Sequence, residues 1–507
     1  MPIYPAAAFV HTQAACVAAV SQLSADDALV LDHGALERRA RSLGDDFVRA
    51  LIQDHVDLRT EREGAMVMAV QGADGETRTE VRTSSRPLAT IVGTVVVRRI
   101  ALVRHGVSGG LRPLDARLNL PEGLYSHGVQ REIAWGVAQS SYDAVVANLR
   151  RTTPITIAKR QVEALAAKIS SDFEGFYVDQ PRRPEDDGDL LVLTFDGAGV
   201  VMRPEGLRPE TRKRARGSGR NVSVAESAAT GRKRDDERTN RKRMAEVAAV
   251  YALEPMSRTP EDVMGELART GPKQVRPKAR NKRAWASLER PISDVVGDAF
   301  YDASQRDPSF TRRWVAVVDG NQDQIAAIRG WSVRYGIDLT LVIDFIHVLG
   351  YLWKAGKVLA KEDEVEAWVS KRALRILQGA SSQVAAGIRR SATRRGLAGK
   401  PREAVDKCAN YLLNHREYLR YDKHLSDGLP IASGVIEGAC RSLVKDRMDI
   451  TGARWGLPGG EAVLKLRSLR ASGDLSAYLA FHERKELERN HLRHYAAHEL
   501  ADLREAA

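Results

Sequence analysis

Cysteine is scarce in this chain: three thiols in 507 residues, at Cys16, Cys408 and Cys440. Thiols so widely spread offer neither a disulfide framework nor a cysteine-based zinc site, so no zinc is expected and a reducing cytoplasm fits. Long apolar runs are missing too. No stretch of about 18 uninterrupted apolar residues exists, so no membrane span or membrane partner is expected. The mildly apolar run 6–20 lacks a basic leader and is broken by His11, Thr12, Gln13 and Cys16, so it does not read as a signal peptide. No internal repeat is found.

What is present is ordinary globular composition, 43% hydrophobic and 28% charged, on a chain long enough for two to four domains. The net charge of +12 favours polyanionic partners, and its clustering says more than its sum. Residues 203–243 hold fourteen Lys or Arg against six Asp or Glu and almost no large apolar residue, which reads as an extended or disordered basic loop. A second basic stretch covers 273–283.

The N-terminal region 1–85 contains an amphipathic helical pattern over 29–63 with Leu36, Leu43, Phe47 and Leu51 on one face, suited to packing or oligomerisation. Region 86–125 turns to β periodicity, with Gly93 marking a bulge or bend between two apolar runs. Three short helical patterns follow at about 126–137, 141–149 and 156–169, with Ser141 and Thr156 as N-caps. They form either a helix-turn-helix over 126–180 or a plain helical linker. In the first case Lys159 and Arg160 open a recognition-type helix.

Three acidic residues, each followed by glycine, then stand at the ends or starts of apolar segments. Asp196 closes 190–195, Asp319 closes 314–318, and Glu437 opens a helical pattern after Ser433. Each pair alone is compatible with an ordinary turn. Together they offer converging carboxylates. With a returning strand at 200–202, a third at 244–253, helices at 292–304 and 322–335 and a strand at 339–343, the order becomes β-β-β-α-β-α-β. That order, with acids after the first and fourth strands, resembles a ribonuclease-H-like α/β core, a mixed sheet with helices. It spans 185–344, and an all-helical insertion follows at 345–430. Region 431–507 carries the Glu437 helix and further C-terminal helices. Phosphodiester cleavage with two Mg²⁺ ions, or Mn²⁺ in their place, needs carboxylates that hold both ions about 3.5–4 Å apart. Asp196 would bridge them, with Asp319 and Glu437 completing one site each. Asp344 also ends a strand. It is read as an N-cap or as a competitor of Asp319, and His347 as a core histidine or a residue beside the site.

The stretch Ser433-Gly434-Val435-Ile436-Glu437-Gly438-Ala439-Cys440-Arg441 leads to Lys445-Asp446-Arg447-Met448 and to Thr451-Gly452-Ala453-Arg454-Trp455. With 344–353, which opens Asp344-Phe345-Ile346-His347, it resembles the Kra-type insertion-sequence transposases. These are a branch of the DDE transposases similar in pattern to the Mutator-like group. The resemblance covers roughly 86–490. It implies Asp196, Asp319 and Glu437 as the catalytic and metal-binding triad, with Asp344 and His347 supporting the site. It also implies double-stranded DNA as partner, at the terminal inverted repeats and at the target. A homo-oligomer on DNA and a nucleoid-associated location go with it. Arg441, Lys445, Arg447, Arg454 and Trp455 then read as phosphate and base contacts beside Glu437, against a solvated helix face with a core tryptophan. The family's cysteine pairs before Pro113-Leu114-Asp115 are missing here, so the hairpin of 86–125 is a degenerate zinc-ribbon-like element that other packing must hold. A non-catalytic DNA-binding regulator and a nuclease or resolvase without strand transfer are the competing expectations.

Overall fold

The computed structural model describes residues 8–67, 69–182, 184, 188–217, 241–270, 275–450, 452–500 and 504–505. The chain divides into two compact units, Met1–Phe176 with Asp474–Ala507, and Tyr177–Gly473. No helix among the described residues is long and apolar enough to cross a membrane.

In the first unit, α1 (Val10–Ser24) packs on the long α2 (His33–Gly64), whose N-cap Asp32 accepts the Ala35 N–H. The β region is a hairpin of β1 (Glu80–Thr90) and β2 (Gly93–Val103), turning through Ile91 and Val92 into Gly93 at φ +118°. Gly93 therefore marks the turn itself. Ordinary packing holds the hairpin. Val56 of α2 meets Leu88, Val95, Val97 and Leu120 in one apolar cluster. The side-chain amide of Gln53 pairs with both the N–H and the C=O of Val96. Arg99 pairs with buried Asp115 of α3 (Pro113–Arg117) at 2.6 Å. Chelator treatment is accordingly expected to leave the melting of this unit unchanged. Elemental analysis finding about one zinc per chain would contradict that.

Glu63, near the end of α2, is buried, and burial pushes its carboxyl up to about 7, opposed by Arg117 and reinforced by Asp115. A raised carboxyl pKa means stability that is complete below the ordinary value and is lost as pH rises through about 7. Glu63→Gln should therefore leave the melting midpoint unchanged at pH 4 and raise it at pH 8. The gain is bounded by roughly 3 kcal/mol, and thermal melts at the two pH values read it.

Three helices follow, α4 (His127–Gln139), α5 (Tyr142–Thr152) and α6 (Lys159–Ile169), packed on one another through Val129, Ile133, Val145, Leu149, Val162 and Ile169. Ser126 and Ser141 are N-caps, but Thr156 is not. The third helix starts later, at Lys159 with Ala158 as its N-cap, where Gln161 Oε1 accepts the Ala158 N–H and the Tyr125 hydroxyl.

The second unit is built on a five-stranded mixed sheet of β3 (Leu190–Val201), β4 (Lys242–Leu253), β5 (Arg280–Ser287), β6 (Trp314–Val318) and β7 (Thr340–Ile343), in spatial order β7-β6-β3-β4-β5. β7, β6 and β3 are parallel, while β4 and β5 continue antiparallel. With α7 (Ile292–Arg306) before β6 and α8 (Gln322–Tyr335) after it, this is an α/β core, but helices Pro209–Gly217 and Pro260–Ala268 also interrupt the first three strands, so the expected unbroken β-β-β start is not met.

Two strands differ from expectation. The short returning strand at 200–202 does not exist, because Gly197 and Gly199 lack a positive φ and continue β3 as one strand to Val201. The antiparallel partner is β4, expected as the third strand, and the actual third strand, β5, starts within the second basic stretch. Much of the basic stretch 203–243, from 218 to 240, lies outside the described residues. Its described start is a 3₁₀ turn (Pro204–Gly206) and a helix (Pro209–Gly217), and its end belongs to β4. Positions 273 and 274 of the second basic stretch also lie outside.

After β7 the chain is helical: α9 (Phe345–Leu359), α10 (Val365–Leu377), α11 (Ser381–Arg394), α12 (Gly399–Asn414) and α13 (Tyr421–Ser426). α14 (Gly434–Ala439) runs without a break into a π-helical turn (Cys440–Lys445), and α15 (Leu457–Ala471) packs on β5.

Candidate active site

Apolar strand cores bring three acids to one end of the sheet. Val192, Leu193 and Thr194 of β3 are buried beside Val315, Ala316 and Val317 of β6, a register that pairs Thr194 with Val317. Carried on by two residues, it sets Asp196 level with Asp319. β7 pairs Ile343 with Val318, so Asp344 comes next to Asp319, and its N–H donates to Val318 O at 2.8 Å. Asp344 and Asp319 therefore follow the carboxyl ends of β7 and β6, and Asp196, inside the longer β3, stands level with Asp319 in the same row. Open α/β sheets place their ligands at such ends.

The three carboxylates differ in their surroundings. Asp344 is buried and saturated: Oδ1 accepts the Ile346 N–H as N-cap of α9, and Oδ2 accepts the Ser433 N–H at 3.0 Å and hydroxyl at 2.7 Å. It clamps the segment that leads into Glu437. Asp319 is half-buried and accepts only the Asn321 N–H among the described residues. Asp196 is half-buried, with Oδ1 accepting the Gly197 N–H and Oδ2 the Cys440 thiol at 3.2 Å.

Cys440 ties the helix of the third acid to Asp196. It lies one helical turn after Glu437, on the same helix face, and α14 packs on β3 and β4. Burial and then the charge of Asp196, with a smaller share from Glu437, push the Cys440 thiol up, so it stays a neutral donor to Asp196. Glu437 itself is exposed. A fourth carboxylate, Glu246, sits on β4 opposite Gly197, and its pKa is raised by burial and by Asp196, against Arg208. As the side chains stand, no three His, Cys, Asp or Glu among the described residues are gathered closely enough to hold a metal ion.

The helical insertion reaches back to the same strand ends. Tyr411 Oη donates to Asp319 O at 2.6 Å, His415 Nε2 contacts Gly320 O at 3.0 Å, and Tyr421 Oη donates to Ile343 O at 2.8 Å. Gly320 has φ +94°, and a Cβ there would meet the Tyr411 and His415 rings at 3.0–3.2 Å. The backbone carrying Asp319 is thus fixed by side chains about a hundred residues away, and only glycine fits beneath them. The i, i+4 spacing of Tyr411 and His415 marks one helix face, but nothing in it names the strand end they grip. The i, i+3 spacing of Glu437 and Cys440 did carry a readable signal.

The proposed DNA contacts divide. Arg441, Lys445 and Arg454 are exposed, and among the described residues Arg441 has a loose contact with Asp446 at 3.6 Å. Arg447 and Trp455 are core residues, which corrects the reading of them as phosphate and base contacts. Trp455 is buried, its Nε1 donates to Met448 O, its backbone pairs with Val201 and Arg203, and Arg447 lies over its ring at 4.7 Å. His347 is exposed, so it is not a core histidine. In the other unit Lys159 and Arg160 are both exposed at the start of α6, with Lys159 paired to exposed Asp143 at 2.6 Å. Compared with protein families and with curated proteins, the chain matches none.

Proposed function

We propose that this chain is a DDE transposase with a ribonuclease-H-like catalytic core, binding the terminal inverted repeats of an insertion sequence and catalysing strand cleavage and strand transfer. The observation that carries the reading is the row of acids. Asp196 and Asp319 stand level on adjacent parallel strands, and the helix bearing Glu437 is fastened to Asp196 through Cys440. Asp196, Asp319 and Glu437 offer only oxygen donors and keep acceptor capacity free, which fits Mg²⁺. Such ions, when bound, supply activation of the attacking oxygen and stabilisation of the leaving one. Asp344, with all its hydrogen bonds taken inside the fold, suits support, and exposed His347 suits contact with DNA. Arg441, Lys445 and Arg454 lie on the same stretch as Glu437 and suit phosphate contact. Lys159 and Arg160 suit the opening of a recognition helix. An oligomer on DNA and a nucleoid-associated location belong to the same proposal.

The test is incubation of the full chain with duplexes carrying the element's ends, Mg²⁺ and a target plasmid. Cleavage exposing a 3′-hydroxyl, followed by its joining to the plasmid, is expected. Cleavage without joining would indicate a nuclease, and end binding without cleavage a regulator.

Tyr411→Phe gives a finer expectation. It removes one hydrogen bond to Asp319 O and keeps the ring, so the Mg²⁺ concentration for half-maximal cleavage should rise by up to about tenfold. Melting should change little. An unchanged Mg²⁺ dependence would mean that the grip on Asp319 has no bearing on metal.

A further inference from the structure

The first unit contains a cavity of about 700 Å³ between the hairpin, the segment 108–112 and the residues after the C-terminal helix, and its wall carries five arginines against three carboxylates. Two of those carboxylates are already engaged, Asp74 by Arg78 at 2.7 Å and Asp115 by Arg99 at 2.6 Å. The third, Glu122, is exposed. Arg86 donates to the carbonyls of Pro121 and Gly123, both at 2.7 Å, which orients it without neutralising it. Arg112 makes no side-chain hydrogen bond or ion pair among the described residues, although it is half-buried.

Three Nε–H groups, of Arg86, Arg99 and Arg112, are buried without an acceptor. A buried donor left unpaired costs about 1–3 kcal/mol, and like charges sharing a cavity add to that. Burial holds Arg86 below the usual arginine value, and Arg99 and Arg112 lower it further while Asp115 opposes them. Several guanidiniums on one cavity wall match the oxygens of a phosphate better than any neutral ligand.

We propose that this cavity binds a phosphate group, with Arg86, Arg99 and Arg112 as its donors. The inference does not rest on the metal-site reading, since the cavity belongs to the other unit. The phosphate has two sources, a backbone phosphodiester of bound DNA or a free phosphate, and one pair of measurements separates them.

Thermal melting of the full chain is followed with and without inorganic phosphate at constant ionic strength, for wild type, Arg112→Gln and Arg112→Lys. Duplex binding of the same proteins is measured across a salt series. Saturating phosphate should raise the wild-type midpoint by about 3 °C. Arg112→Gln, which removes no internal bond, should melt normally without phosphate and lose that rise, while Arg112→Lys should keep part of it. If the duplex salt slope of Arg112→Gln also falls by about one, the phosphate belongs to DNA. An unchanged slope assigns the site to free phosphate. A wild-type midpoint indifferent to phosphate, together with an unchanged slope, overturns the proposal, as does a rise that Arg112→Gln retains in full.

Discussion

Asp319→Ala is expected to lose Mg²⁺-dependent strand cleavage by at least roughly a thousandfold while its melting midpoint stays close to wild type. Asp344→Ala is expected to fail in the opposite sense. Both acids end parallel strands and lie side by side, yet one is spent inside the fold and the other is not. Asp319 accepts a single local N–H and is half-exposed, so its loss removes little native structure. Asp344 is buried, caps α9 and satisfies both the N–H and the hydroxyl of Ser433. Removing it deletes an N-cap worth about 1 kcal/mol and strands a buried donor at about 1–3 kcal/mol. The midpoint should drop by roughly 5–10 °C. Cleavage should be weakened but detectable at low temperature, because the segment leading to Glu437 loosens rather than disappears. A stable, inactive Asp344→Ala beside an active Asp319→Ala would reverse the two roles.

The largest stability effect is expected at Asp302, far from the acids. Its carboxylate is buried in the core between two arginines, Arg283 of β5 at 3.0 Å and Arg306 at 2.6 Å, and so joins α7 to the edge of the sheet. Burial alone would raise its pKa, but Arg306 and Arg283 outweigh burial and hold it below the usual aspartate value. Its stabilisation is therefore present above the ordinary aspartate range and lost as pH falls through the lowered value. Arg283 is also stacked on Tyr177 at 3.5 Å and Arg306 donates to Asn281 O, so neither guanidinium can leave when the carboxylate goes. Asp302→Ala should cost about 3–5 kcal/mol, read by denaturant unfolding at neutral pH. A loss under about 1 kcal/mol would show that water reaches the arginines and that the triad is not a core element.

Much of this was legible from the residues. β6 reads as a strand because all five of its residues are apolar and buried, and α8 reads as a helix between Asn321 and Gly336, each a standard end signal. Asp319 and Asp344 follow directly from such clean boundaries. Asp196 reads as closing a strand because Gly197-Ala198-Gly199 suggests a turn, but the backbone there stays extended and leaves Asp196 inside β3. What keeps it extended is pairing with β4, a partner some fifty residues away that local pattern cannot show. β5 was hidden for a related cause. Arg280, Lys282 and Arg283 look like solvated charge, but Arg283 is buried because Asp302 and Tyr177 meet it. Trp455 misled in the other direction, because an aromatic ring among cations near Glu437 suits base stacking as well as it suits the core. Its pairing with Val201 decides for the core.

The claim that Asp196, Asp319 and Glu437 share metal is tested most directly by binding rather than by activity. Mn²⁺ titrated into the full chain, followed by electron paramagnetic resonance as a stand-in for Mg²⁺, should show saturable binding that Mg²⁺ displaces. Asp196→Ala should abolish it, and Asp319→Ala and Glu437→Ala should each weaken it by about tenfold or more. Asp302→Asn, an acid replaced far from the strand ends, should leave it unchanged in whatever fraction remains folded. Mn²⁺ binding equal in wild type and in all three site variants would contradict the account, and so would no binding to wild type with end DNA present.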